Sequence, residues 1–146
     1  MKILFVCLGN ICRSPMAEFI LRDLCQRQGR RDIITESAAT SSYEVGNPVY
    51  RPAREMLYAH GISCEGKTAR QVQPADYDRF DRIYAMDSEN LRHLKRLFGG
   101  DPLDKVSLLM SVCGQPRDIA DPWYTGDFDT AYTEIEAACR ALLEKI

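Results

Sequence analysis

Residues 2–18 read KILFVCLGNICRSPMAE, and the order of chemical types in that stretch decides the fold. Ile3-Leu4-Phe5-Val6 is a short run without a polar residue, the pattern of a strand buried on both faces of a parallel sheet. Gly9 and Asn10 interrupt it, and both residue types tolerate left-handed backbone angles. Ser14-Pro15 then reads as a helix start, with a hydroxyl at the N-cap and proline at the first helical position. A buried strand, a tight loop and a helix form the opening of an α/β unit.

Working outward, the first helix is predicted from Pro15 to about Gln28, with Ala17, Ile20, Leu21 and Leu24 on one face and Gly29 ending it. Ile33-Ile34-Thr35 reads as a second strand and Ser41–Pro48 as a loop. A second helix begins near Pro52 and stops at His60-Gly61. Residues 82–86 give a third strand, and Asp87-Ser88-Glu89 opens a helix that buries Leu91, Leu94, Leu97 and Phe98. Val106–Met110 is a fourth strand. After a polar loop from Cys113 to Asp127, apolar residues recur at 128, 132, 135, 139, 142 and 146, steps of four and three that specify a helix. The alternation predicts an α/β fold: a single domain over 1–146, with a four-stranded parallel sheet flanked by helices on both faces. Ligands of such sheets gather at the carboxyl ends of the strands.

Composition narrows the function. The 146 residues carry 19 basic and 21 acidic side chains in mixed order, so a binder of nucleic-acid backbones is excluded. An apolar fraction of 45% excludes disorder, and no apolar run is long enough for membrane insertion. The N-terminal apolar run is too short for a signal peptide. Six cysteines, at 7, 12, 25, 64, 113 and 139, read as reduced thiols of a cytoplasmic protein, with a monomer as the default expectation. Cys7 and Cys12 are five apart, which is not zinc spacing, and no paired Cys/His set follows, so neither a metal nor another cofactor is expected.

Cys7-Leu8-Gly9-Asn10-Ile11-Cys12-Arg13-Ser14 joins the buried strand to a helix N-terminus. Successive backbone N–H groups and the helix dipole make such a loop a phosphate-binding loop, and the Arg13 guanidinium can clamp phosphate oxygens. A thiol held in that field is favoured as the thiolate. Cysteine followed six positions later by arginine is weak evidence alone, since Cys25 with Arg31 and Cys64 with Arg70 share the spacing. Only Cys7 has an apolar strand before it, Gly and Asn in the loop and Ser14 after the arginine.

With these residues in view, the sequence resembles the low-molecular-weight protein tyrosine phosphatase family. The motif from Val6 to Glu18 is similar nearly residue for residue. The likeness continues, in family order, in Ser37-Ala38-Ala39-Thr40-Ser41, Gly46-Asn47-Pro48, Ala69-Arg70-Gln71, Met86-Asp87 with Asn90-Leu91, and Asp121-Pro122-Trp123-Tyr124. The resemblance implies a metal-independent enzyme acting on phosphotyrosine in proteins and on small aryl phosphates through a cysteinyl-phosphate. Cys7 would be its nucleophile, and Arg13 with the amides of residues 8–14 would hold the phosphoryl group.

A tyrosyl leaving group needs a proton donor. Asp127 and Asp129 read as first-turn helix residues, and Asp101-Pro102 is followed by leucine in a turn. Spacing leaves Asp118 and Asp121, favouring Asp121 because a proline and two aromatics follow it; the resemblance selects Asp121. It also implies that Trp123, Tyr124 and Tyr43 wall the substrate cleft, with Glu44 beside them. Asn10, Ser14 and Ser37 would hold the loop by hydrogen bonds, and Cys12 would be a reversible disulfide partner of Cys7. Glu36 stands where the family usually has aspartate, and Glu65-Gly66-Lys67-Thr68 fills a stretch in which some relatives carry a loop-supporting histidine. Two alternatives remain. Thiol-dependent arsenate reductases share this scaffold but need relay cysteines near the third strand, and residues 82–98 contain none. A phosphotyrosine-binding module without catalysis would lack part of the set Cys7, Arg13 and Asp121, which is present in full.

Overall fold

Side chains alternate along the first strand, so an all-apolar strand must be covered on both sides. In the computed structural model, which describes residues 1–146, strand β1 (Lys2–Cys7) sends Ile3, Phe5 and Cys7 into one core and Leu4 and Val6 into another. The chain continues through α1 (Arg13–Arg27), β2 (Ile34–Ala39), α2 (Arg51–Ala59), α3 (Asp76–Arg79), β3 (Arg82–Ala85) and α4 (Ser88–Leu97). It ends with β4 (Val106–Leu108), a 3₁₀ turn over Leu109–Cys113, α5 (Pro122–Thr125) and α6 (Phe128–Lys145). All strands are parallel, in the order β2-β1-β3-β4.

The larger core, 29 buried residues, lies between the sheet and α1, α2 and α6; Ile20, Leu57, Ile135 and Cys139 are at its centre. The smaller, ten residues, sits under α4 and the α3 segment, with Phe80, Ile83 and Leu94 fully covered. The chain leaves β1 for β2 on one side and later returns to β3 on the other. The loop after β1 therefore occupies the switch point of the sheet.

The departures from the sequence reading have local causes. Helix α1 begins at Arg13 with Cys12 at its cap, and no side chain caps it: the Ser14 hydroxyl turns into the loop instead. Strand β2 runs on to Ala39 because Ser37, Ala38 and Ala39, small and buried, pair in register with Phe5, Val6 and Cys7. Strand β4 stops at Leu108, where the chain tightens into the 3₁₀ turn. The short helices α3 and α5 carry too little periodicity to show in the sequence. Helix α5 is set by Asp121, whose carboxylate accepts the Trp123 N–H at 3.1 Å, and by Gly126 at φ +73°.

Candidate active site

The Cys7 thiol closes the end of β1 and sits under three potential donors. The backbone N–H groups of Asn10 and Ser14 reach the sulfur at 3.3 and 3.4 Å, and the Ser14 hydroxyl lies 3.0 Å away. Donors converging on one sulfur solvate an anionic nucleophile without water. The left-handed turn that aims them rests on Asn10 alone, at φ +59°. Gly9 lies outside that region; a Cβ there would meet the Glu44 side chain at 3.5 Å, an ordinary contact. The Asn10 side chain fixes the turn from below. Its amide donates to Ser14 Oγ at 2.7 Å and Ser37 Oγ at 2.9 Å, and its carbonyl accepts the Arg70 N–H at 3.2 Å. Asn10 and Ser14 are buried beneath the loop, so their side chains brace it and do not line the cleft.

A second tier lies below. Ser37 Oγ donates to Glu18, which also accepts from Arg22 at 2.7 Å and pairs with Lys67 at 3.2 Å; Lys67 donates to the Ser37 carbonyl at 3.0 Å. Lys67 thus supports the tier from the stretch after Cys64, and Glu36 stands apart from it, pairing with Arg70 at 3.6 Å. No sequence spacing marks Glu18 or Lys67 as partners, because they meet only through the sheet.

Arg13 is 2% exposed, yet it carries three contacts: Asp87 and the Ile119 carbonyl at 2.8 Å each, and Asp121 at 3.3 Å. Burial opposes its charge, but Cys7, Asp121 and Asp87 outweigh burial, and its pKa is raised above its ordinary value. Asp87 also accepts the Asn90 N–H at 2.8 Å, so one carboxylate caps α4 and holds the arginine. The sequence marks Asp87 as a helix start; its hold on Arg13 is a long-range fact.

Asp121 reaches the rim of the cleft, whereas Asp118 is occupied elsewhere, accepting the Ser88 N–H and hydroxyl. Asp127 caps α6 through the Thr130 N–H, and Asp101 serves its turn by accepting from Tyr77, Lys105 and Val106. The cleft, about 160 Å³, has Cys7, Leu8, Ile11, Cys12 and Arg13 within it and Tyr43, Glu44, Trp123 and Tyr124 around it. Trp123 leans on Tyr50, ring centres 4.7 Å apart, and Tyr50 packs on Phe128; no sequence pattern marks Tyr50. Burial, then the nearby Cys7 and Asp121, push the Cys12 thiol well above its ordinary range, so it is a protonated neighbour of Cys7. Cys113 is exposed at the end of the 3₁₀ turn and takes no part in the cleft.

This architecture recurs in known proteins. The chain is 41% identical over 148 residues to the Bacillus subtilis low molecular weight protein-tyrosine-phosphatase YfkJ, covering 99% of this chain and 95% of the relative. The human low molecular weight phosphotyrosine protein phosphatase is 40% identical over 150 residues, covering 99% and 94%. The crystal structure of YfkJ superposes with a TM-score of 0.97 over 100% of this chain and 94% of that one. A Drosophila arginine phosphatase, 35% identical, superposes at 0.92 over 99% and 97%. The model of the low molecular weight phosphotyrosine protein phosphatase family matches residues 2–146, and the chain belongs to that family.

Proposed function

We propose that this protein hydrolyses phosphotyrosine in proteins, and small aryl phosphates, through a cysteinyl-phosphate on Cys7, with Asp121 as proton donor and acceptor. The observation that carries the reading is the convergence of one sulfur, one buried guanidinium and one carboxylate in a single cleft with aromatic walls. An aryl phosphate entering it lays its phosphoryl oxygens against the loop amides and Arg13, and its ring among Ile11, Trp123, Tyr124 and Tyr43. The Cys7 thiolate attacks phosphorus, the bond to the aryl oxygen breaks, and Asp121 gives that oxygen its proton. Water then attacks the thiophosphate, Asp121 takes a proton back, and the P–S bond breaks to release phosphate and the thiolate. Without substrate, Asp121 shares Arg13 with Asp87. A phosphoryl dianion competes for that guanidinium, which frees the Asp121 carboxyl to face the ester oxygen.

We take residues 1–146 as one catalytic domain, acting as a monomer in the cytoplasm. No helix is long and apolar enough to cross a membrane.

The test is hydrolysis of p-nitrophenyl phosphate in EDTA by the wild type, Cys7→Ser and Cys25→Ser. Turnover in the wild type and Cys25→Ser, and none in Cys7→Ser, is the expected result. A folded, reduced wild type without turnover overturns the proposal. Since one relative is an arginine phosphatase, a phosphoarginine arm of the same assay separates the two substrate classes. The apolar lining predicts preference for the aryl ester.

A further inference from the structure

We infer that the recess between the phosphate loop and helix α4 is a subsite for an acidic side chain next to the phosphotyrosine of a polypeptide substrate, held by Arg92 and Arg96. The inference rests on the phosphatase reading above. The recess, about 610 Å³, shares Leu8, Arg13, Asp121 and Tyr124 with the catalytic cleft, so a chain anchored by its phosphoryl group passes directly over it. Its outer wall is one face of α4, where Glu89, Arg92, His93 and Arg96 recur at helical spacing.

The charges of this recess balance in number, three arginines against Asp87, Glu89 and Asp121, but they are segregated within it. Asp87 and Asp121 are both engaged by Arg13, whereas Arg92, Arg96 and Glu89 pair with nothing. Two free guanidiniums therefore face one free carboxylate beside the site. Arg92 and Arg96 are four residues apart and exposed, one helical turn from each other, suited to gripping a single carboxylate from two sides.

Asn90, in the same wall, is 3% exposed and its Oδ1 is sealed from solvent, so the wall meets a substrate with its guanidiniums, the complement of an acidic side chain.

The experiment compares kcat/KM for three phosphotyrosine peptides, with Glu, Ala or Lys flanking the phosphotyrosine. The proteins are the wild type and Arg92→Glu/Arg96→Glu, with p-nitrophenyl phosphate run alongside on the wild type. The wild type should favour the Glu peptide over the Lys peptide by roughly three- to ten-fold, the range of one or two exposed ion pairs, and the preference should shrink as salt is raised. The charge-reversed variant should invert the ranking. Equal ratios in the two proteins, or a preference insensitive to salt, overturn the subsite while leaving the phosphatase intact. A wild type that fails on p-nitrophenyl phosphate overturns the phosphatase reading itself, and the subsite with it.

Discussion

The phosphate loop and the acid loop face each other across one cleft and are built on opposite principles. In the first, Asn10 and Ser14 are buried, and the bracing runs in tiers from the Cys7 sulfur through Asn10 and Ser37 to Glu18 and Lys67. In the second, Trp123 and Tyr124 are 49% and 75% exposed, and Asp121 is held by its own helix cap and by Arg13, an arginine that substrate can reclaim. Under the proposed mechanism, the half that stabilises charge in the transition state is fixed before substrate arrives. The half that, on the same mechanism, approaches a variable leaving group is left adjustable. Substitutions in the two loops should accordingly fail in different ways.

Asp121→Asn tests the acid loop with the largest expected effect. Asparagine keeps the cap on the Trp123 N–H but cannot give a proton, so kcat on phosphotyrosine should fall about 10²–10⁴-fold. The loss should be smaller on p-nitrophenyl phosphate, whose more acidic phenol leaves with less help, and thermal stability should not move. An equal loss on both substrates would show that Asp121 acts on the loop and not on the leaving group.

In the phosphate loop, Asn10→Ala should damage stability and turnover together. It strips donors from Ser14 and Ser37, leaves the Arg70 N–H unpaired and forces alanine to φ +59°. The combined cost is about 2–4 kcal/mol, a fall in Tm on the order of 10 °C. Asn10→Gly, which relieves the backbone but not the hydrogen bonds, should lie between the two. If Asn10→Ala lowered kcat without lowering Tm, the proposed bracing would be wrong.

The same contrast governs what can be read from the sequence. The phosphate loop is legible because its context is local: an apolar strand, a positive-φ asparagine and a helix start all fall within residues 3–15. Even there the Ser14 hydroxyl misleads, since a serine before proline looks like a cap and in fact reaches Cys7. The acid loop is harder because Asp118 and Asp121 differ little in pattern. What separates them is that Ser88 occupies one and Arg13 meets the other. The hold of Asp87 on Arg13, the packing of Tyr50 under Trp123 and the pairing of Lys67 with Glu18 are contacts between distant segments, invisible to periodicity. The strands and long helices were legible from burial pattern, whereas α3 and α5, four residues each, were not.

Lys67→Met probes how deep the bracing reaches. Removing one partner of a buried pair leaves the other charge uncompensated. Here Glu18 retains Arg22 and the Ser37 hydroxyl, so the cost should be about 1–3 kcal/mol, below the usual figure for a broken buried pair. Adding Glu18→Gln should recover part of it, as a denaturation double-mutant cycle would show. A purely additive cycle would mean that the ion pair is incidental and that the loop is braced from Asn10 and Ser37 alone.

The smallest effect belongs to the outermost wall. Trp123→Ala removes an aromatic face from the cleft and its contact with Tyr50, at an aromatic-pair value of about 0.5–1.5 kcal/mol. The loss should appear in KM for aryl phosphates, roughly two- to ten-fold, with kcat nearly unchanged, because the ring holds the substrate equally in ground and transition states. If kcat fell instead, Trp123 would be positioning Asp121 through the short helix they share. The acid loop would then be as closely held as the phosphate loop, and the contrast between the two would not stand.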